Sequence, residues 1–272
     1  MLKKITFEIE TITPMFLAGA EQGKAELRAA SIKGLLRFWW RALQGEVNIE
    51  ELRKKESEIF GSSDEKTGGG SSFAIRIITD GVTKTTKDKF PKQNITVTSK
   101  GKTFPVNILE YLAYGTLEYK KGEVNVFIRE YIPSGAKLKL NFSFLKEDRH
   151  QEILKAMYVF SLFGGIGSRS RNGFGSFNVS NSQEVFSDIC KEYPLNDLGK
   201  LINDTVPLSY PSFAKETKVF KTKLSHKSWD DALAEVGKLY RGIRSGEIKH
   251  DNKPFENKHY YDKRQYIGAP LI

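Results

Sequence analysis

Cysteine is almost missing from this chain: among 272 residues there is only Cys190. No intrachain disulfide can form, and neither a C-x-x-C pair nor a Cys/His zinc cluster can be built. The expected place of Cys190 is a buried or half-buried position of no special role. Long apolar runs are missing too. The longest, around residues 156–166, is too short to span a bilayer and is broken by Ser161, Gly164 and Gly165. The start, MLKKITFEIE, alternates polar and apolar residues and includes Glu8, unlike a signal peptide. The expectation is a soluble, cytoplasmic protein with no membrane partner. Negative charge is also short, with 33 acidic residues against 43 Lys and Arg and a formal net charge of +10. That surplus puts nucleic acid ahead of a membrane surface or an acidic protein as the partner class.

The shortage of acid is concentrated in two places. One runs from Leu27 to Gly45, the other from Glu152 to Glu184. Inside the second lies Gly164–Gly175, reading GGIGSRSRNGFG, with five glycines, two arginines and no acid. Glycine lets backbone N–H groups approach a ligand and tolerates positive φ. N–H groups turned inward make an anion-sized concavity, and Arg169 and Arg171 add forked donors suited to phosphate. Ordering five glycines costs chain entropy, which favours a ligand-binding loop over a mobile basic turn. The loop has no G-x-x-x-x-G-K-[ST], and its helix precedes it, so it is not a Walker loop; a dinucleotide fingerprint fails for similar reasons. The candidate RNA contacts here are Gly164, Gly165, Gly167, Ser168, Arg169, Arg171, Gly173 and Gly175.

In the first acid-free stretch, Ser31 is placed to cap a helix whose apolar stripe is Ile32, Leu35, Leu36, Trp39 and Leu43. Lys33, Arg37 and Arg41 recur every four residues on another face, with Arg28 just ahead. Trp40 falls between the arginines. A cationic row with one aromatic can hold a single strand while stacking a base; the plainer alternative packs Trp40 against a neighbouring loop. The arginines, lacking acidic neighbours in sequence, favour binding. On this reading both basic stretches line one groove, and no residue is assigned to a metal or cofactor.

The remaining pattern supplies the frame. Ile5, Phe7 and Ile9 alternate as a strand, as do Phe73, Ile75 and Ile77, and most clearly Leu138, Leu140, Phe142 and Phe144. Asn48 with Glu51 opens a second helix ended by Gly61. Gly68–Ser72 is a loop, residues 80–100 form an exposed loop or insertion, and Val124–Tyr131 is a strand. Asp148 and Gln151 open a helix through Phe163, and Phe177 with Val179 continues as a strand. The order strand, helix, strand, strand, helix, strand predicts an α+β, ferredoxin-like domain over 1–182 with insertions at about 80–133. RNA-recognition modules share that layout, although a layout does not determine an activity. Residues 183–272 form a second domain, with a strand at Lys218–Leu224 and a helix capped by Ser228, carrying Trp229, Leu233, Val236, Tyr240 and Ile243 inward.

Three segments, ITPMFLAGA, SIKGLLRFWWRAL and GGIGSRSRNGFGSF, resemble the RAMP proteins of CRISPR systems, whose hallmark is a glycine-rich loop late in a ferredoxin-like domain. The tryptophan pair resembles, within that family, the first-numbered subunits of type III-B (Cmr) RNA-guided effector complexes. The likeness covers roughly 1–45 and 148–180. It implies ferredoxin-like (RRM-like) domains in tandem and a non-catalytic place at one end of a multi-protein antiviral complex. It also implies contact with the 3′ part of the guide RNA or with the guide–target duplex. Family members continue past a strand such as QYIGAPLI, so an incomplete second domain is expected.

Some RAMP proteins cleave RNA without metal through a histidine, tyrosine or lysine. Here His150, His226, His250 and His259 all lie outside the acid-free segments, and Asp230, Asp231 and Asp251 are a thin carboxylate set. A binder without catalysis is the expectation. A guide-processing endoribonuclease is the alternative, and a scaffold touching only protein the third.

Overall fold

The computed structural model describes residues 3–63, 69–79, 85–99, 101–119, 125–145, 149–194, 197–201, 209–219 and 225–245. In chain order the elements are β1 (Lys3–Thr11), α1 (Ala29–Ala42), α2 (Ile49–Phe60), β2 (Phe73–Ile78), β3 (Asn94–Ser99), β4 (Lys102–Asn107), α3 (Ile108–Leu112), β5 (Leu117–Glu118), β6 (Val126–Phe127), β7 (Lys137–Phe144), α4 (His150–Phe163), β8 (Phe177–Val179), α5 (Ser182–Val185), α6 (Ser187–Glu192) and α7 (Trp229–Ser245). They fall into two compact units, one of 1–87 with 127–221 and one of 88–126 with 222–272. Phe186, Ile189 and Phe213, which follow residue 182, pack into the first unit's core.

The first unit is built on one antiparallel sheet of order β2-β7-β1-β8. Alternation decides its two faces. Phe7, Ile9, Phe73, Leu138, Leu140, Phe142 and Phe144 are buried on one side with α1 and α4. The rings of Phe7 and Phe142 meet edge to face at 4.9 Å, the favoured geometry for aromatic pairs. On the other side Glu8, Lys139 and Asn141 are more exposed, and Lys139 pairs with Glu8 at 2.9 Å. That face carries no aromatic among β1 and β7 residues, unlike the ring-bearing sheet of an RNA-recognition module.

Helix ends follow local chemistry in part. Asn48 Oδ1 accepts from the amides of Glu50 and Glu51, and Gly61 stops α2 at φ 80°. Ser31 is not the cap of α1; Arg28 occupies that place without a side-chain hydrogen bond, and Ser31 lies inside the helix. Arg149 likewise precedes α4 uncapped; Asp148, expected to open it, lies outside the described residues. The strand expected at Val124–Tyr131 is reduced to Val126–Phe127, with Val124 outside the described residues.

In the second unit, β3 and β4 pair as a hairpin, so residues 94–99 are strand within a stretch expected to be loop. Helix α7 begins as anticipated, with Ser228 Oγ accepting from the amide of Asp231. Its buried face is Leu233, Ala234 and Gly237 against α3, while Val236 is 61% exposed rather than inward. The expected strands at Lys218–Leu224, beyond Val219, and at QYIGAPLI lie outside the described residues. No helix among the described residues is long and apolar enough to cross a membrane.

Candidate nucleic-acid interface

The glycine-rich loop leaves α4 and folds tightly onto residues 12–17. Ile166 N donates to Gly175 O at 2.8 Å, Ser168 N to Phe16 O at 2.8 Å and Gly175 N to Pro14 O at 2.9 Å. Thr13 Oγ1 donates to Gly173 O at 2.8 Å and accepts from Ser176 N at 2.9 Å. Ile166 and Phe174 are fully buried, the latter edge-on to Phe16. The loop's glycines therefore have a packing reason of their own. At Gly175, with φ +73°, a Cβ would fall 2.1 Å from Ile166 O; at Gly167, with φ +102°, it would fall 2.3 Å from Phe16 O. Gly165 is closed by Phe174 O at 2.7 Å and Gly164 by the Phe160 ring. Several amides imagined as anion donors are instead spent inside the protein.

What faces outward is narrower. Ser168, Arg169 and Arg171 are exposed. Arg169 is the one described non-glycine residue at positive φ, with φ 62° and ψ 17°. That conformation costs on the order of 1 kcal/mol and persists only where neighbours over-determine it. Here Asn172 N and Phe174 N both donate to Arg169 O, at 2.9 and 3.3 Å. The left-handed residue is followed by the 3-10 turn Ser170–Asn172, whose closing bond runs from Gly173 N to Ser170 O, so both arginines stand on a defined backbone.

The cationic row on α1 has a different role. Arg41 donates through Nε and Nη2 to Glu56 of α2, and Arg37 Nε lies 3.2 Å from the same carboxylate. The Glu56 side chain is only 12% exposed, so the two guanidiniums neutralise a carboxylate that burial would otherwise penalise. The hydrogen bond to Glu56 raises the pKa of Arg41 above its ordinary value. Arg37 also donates to Gly61 O at 3.2 Å and lies over the Phe60 ring. Lys33 lies 5.2 Å from the Phe73 ring centroid, and burial pushes its pKa down. The idea that these residues lack acidic partners is thus corrected for Arg37 and Arg41: the acid comes from the next helix.

Trp40 is corrected as well. It is fully buried, and its Nε1 donates to Glu152 Oε2 at 2.9 Å. Arg149 bridges Glu152 and Glu58, at 2.9 and 2.8 Å, tying α4 to α2. A ring in that position cannot stack on a base. Trp39 is the half-buried partner, near-parallel to Phe163 and Phe213 at centroid distances of 6.3 Å. A Cβ on Gly164 would lie 2.7 Å from its Nε1, so the aromatic beside the loop is Trp39.

Beside the loop lies a cavity of about 350 Å³ bounded by Phe16, Gln22, Ser31, Leu35, Arg129, Gly167 and Ser168. Ser31 and Leu35 share a flank of α1 about half a turn away from Arg37, so the loop and the cationic row do not line one groove. The start of α1 does reach this cavity, with no acid in its first turn and exposed Arg28 before it. A helix N-terminus of this kind favours anions. Arg129 went unnoticed in the sequence because IREYIP reads as strand with an acid alongside. Only the bridges Met15↔Ile132 and Phe16↔Ser168 bring it to the loop. Its neighbour Glu130 is occupied elsewhere, accepting from Thr85 Oγ1 at 2.8 Å and Ala25 N at 3.3 Å. Those hydrogen bonds, Thr85's first, hold its carboxyl below the usual range. Among the described residues, Arg28, Arg129, Arg169 and Arg171 pair with no acid.

His150 hydrogen-bonds Lys3 Nζ at 2.7 Å and His226 contacts Glu235 at 2.9 Å; His250 and His259 lie outside the described residues. Cys190 is half-buried. No cluster of three potential metal ligands occurs among the described residues.

A family model described as RAMP superfamily matches residues 8–178. The CRISPR system Cmr subunit Cmr1-2 of Pyrococcus furiosus is 28% identical over 187 residues, covering 66% of this chain and 96% of that protein. Subunit Cmr1-1 of the same organism is 28% identical over 197 residues, covering 67% of this chain but 50% of that longer protein. Among solved structures, apo Cmr1 from Pyrococcus furiosus superposes with a TM-score of 0.56 at 20% identity, covering 94% of this chain and 80% of that one. A chain in the type III-B Cmr-beta complex bound to cognate target RNA gives 0.51 at 16% identity, covering 92% and 76%. At such identities the superpositions show a shared fold.

Proposed function

The chain belongs to the RAMP superfamily, and from that premise we propose that it is an RNA-binding subunit, without chemistry of its own, of a type III-B CRISPR antiviral effector complex. The Cmr subunits it resembles, and the RNA-bound complex among its structural neighbours, support that assignment. Its partners are then the guide RNA, the target RNA and the adjoining subunits, with the 3′ part of the guide or the guide–target duplex lying on the loop. The sheet order β2-β7-β1-β8 with α1 and α4 on one face supports reading the first unit as ferredoxin-like. The second unit, a hairpin with α3 and α7, is read as the tandem copy.

One observation carries the RNA role: among the described residues, two arginines on the rigid loop, one in the cavity wall beside it and one ahead of α1 have no acidic partner. Arg169 and Arg171 stand exposed on the loop, Arg129 lines the cavity wall, and Arg28 precedes α1. Such an arrangement grips phosphates and leaves sequence to base pairing. Phe163, 36% exposed beside Trp39, offers an apolar edge at the end of α4, where the loop begins. The test is fluorescence anisotropy with labelled single-stranded RNA across a salt series. The parent chain should show a log–log slope of about −0.7 per phosphate neutralised, and R169A/R171A should bind more weakly while unfolding at the parent's temperature. Equal binding by the double variant removes the loop from the RNA site. Incubating the parent with labelled repeat RNA in EDTA should leave it intact; discrete fragments would make the protein a nuclease.

A further inference from the structure

We propose that the second unit carries a base-binding pocket, selective for guanine, that takes a single unpaired nucleotide. A cavity of about 500 Å³ opens there, and Phe104, Tyr114 and Tyr119 line it. These three rings are 44%, 78% and 77% exposed, and apart from Phe163 they are the exposed aromatics among the described residues. Aromatic surface left in water around a concavity is characteristic of a binding site. Rings can sandwich the flat face of a nucleobase, and stacking of that kind tolerates any base.

Selectivity comes from the polar groups in the same wall. Glu110 accepts from Asn125 Nδ2 through Oε2, and from Asn107 Nδ2 through Oε1 only at a long 3.5 Å. The carboxylate therefore retains lone pairs. Asn125 Oδ1 is buried and accepts from no protein donor. That oxygen is closed to solvent, so the acceptors the wall offers a ligand are the Glu110 oxygens. The wall thus asks for a base edge carrying adjacent donors. Guanine presents N1–H beside its N2 amino group. Uracil has one N–H between two carbonyls that a carboxylate repels, while adenine and cytosine each place a bare ring nitrogen beside the amino group. Lys92, also in the lining, supplies a cation for the attached phosphate.

Only the ligand class rests on the RNA reading; none of the pocket residues belongs to the glycine-rich loop. The experiment is titration of the full-length chain with GMP, IMP, AMP, CMP and UMP, followed by tyrosine fluorescence and calorimetry. GMP should bind saturably and at least about tenfold more tightly than AMP, CMP or UMP. IMP, which lacks the amino group, should fall between. Tyr114→Ala, on an exposed ring, and Glu110→Gln should each weaken GMP about tenfold with the circular dichroism unchanged. R169A/R171A should bind GMP as the parent does. No GMP binding, equal binding of all the nucleotides, or variants that bind like the parent would overturn the pocket. Loss of RNA binding in R169A/R171A with GMP retained would leave the two sites independent.

Discussion

The two acid-free stretches are alike in sequence and opposite in the fold. On α1, Arg37 and Arg41 are turned against α2, where Glu56 takes up their charge and Phe60 lies beneath one guanidinium. In the loop, Arg169 and Arg171 project from a backbone locked by Pro14, Phe16 and Gly175, and no described acid meets them. An arginine row free of acid in sequence can be structural when a neighbouring element carries the carboxylate. A rigid loop whose amides are used internally can still present its side chains.

Substitutions can break this comparison, and the largest effect belongs to the helix. Trp40→Ala removes a fully buried indole and one of the donors to Glu152, so stability should fall by about 3–5 kcal/mol in denaturant unfolding. A variant as stable as the parent but weak for RNA would return Trp40 to the binding surface. Gly175→Ala comes next, since the new Cβ meets Ile166 O at 2.1 Å. A loss of about 2–3 kcal/mol is expected by thermal unfolding, and a neutral result would mean the loop is not locked. R169A/R171A should leave stability within about 0.5 kcal/mol, while RNA affinity falls about tenfold at 0.1 M salt and the salt slope shrinks by about 1.4.

Arg41→Ala should show the mirror image, because Glu56 loses two hydrogen bonds but keeps Arg37. About 1 kcal/mol of stability goes, with RNA affinity changed less than about twofold because salt screens the removed charge. An RNA defect larger than that of the loop variant would reverse the two assignments. The smallest effect concerns Glu130, whose depressed pKa means its anchoring of Thr85 and Ala25 is present above the ordinary glutamate range and fades as pH falls through the lowered value. The Ala25 amide resonance should shift over that acid range in the parent and stay flat in Glu130→Gln.

Much of the frame was legible because it depends on short-range patterns. Leu138, Leu140, Phe142 and Phe144 alternate because a strand buries every second residue, and they form the sheet's inner face. Asn48 caps α2 through its own neighbours' amides. The α1 stripe was misread by one residue: Ile32, Leu36 and Trp40 form its buried line, while Leu35 and Trp39 pack only partly. Both tryptophans are equally apolar, and the choice between them was made by Glu152, more than a hundred residues away. Val236 was expected inward for its apolarity, whereas contact with α3 selects Gly237, where close approach needs a missing side chain.

By itself the sequence determined the strand and helix periods, the surplus of positive charge and the place of the glycine-rich loop, all properties of neighbouring residues. Only the tertiary structure decided which arginines remain without an acidic partner, which tryptophan is sealed, and that Arg129 stands beside the loop. Charge pairing and burial are set by residues brought together across the chain, and no local pattern records who those neighbours are.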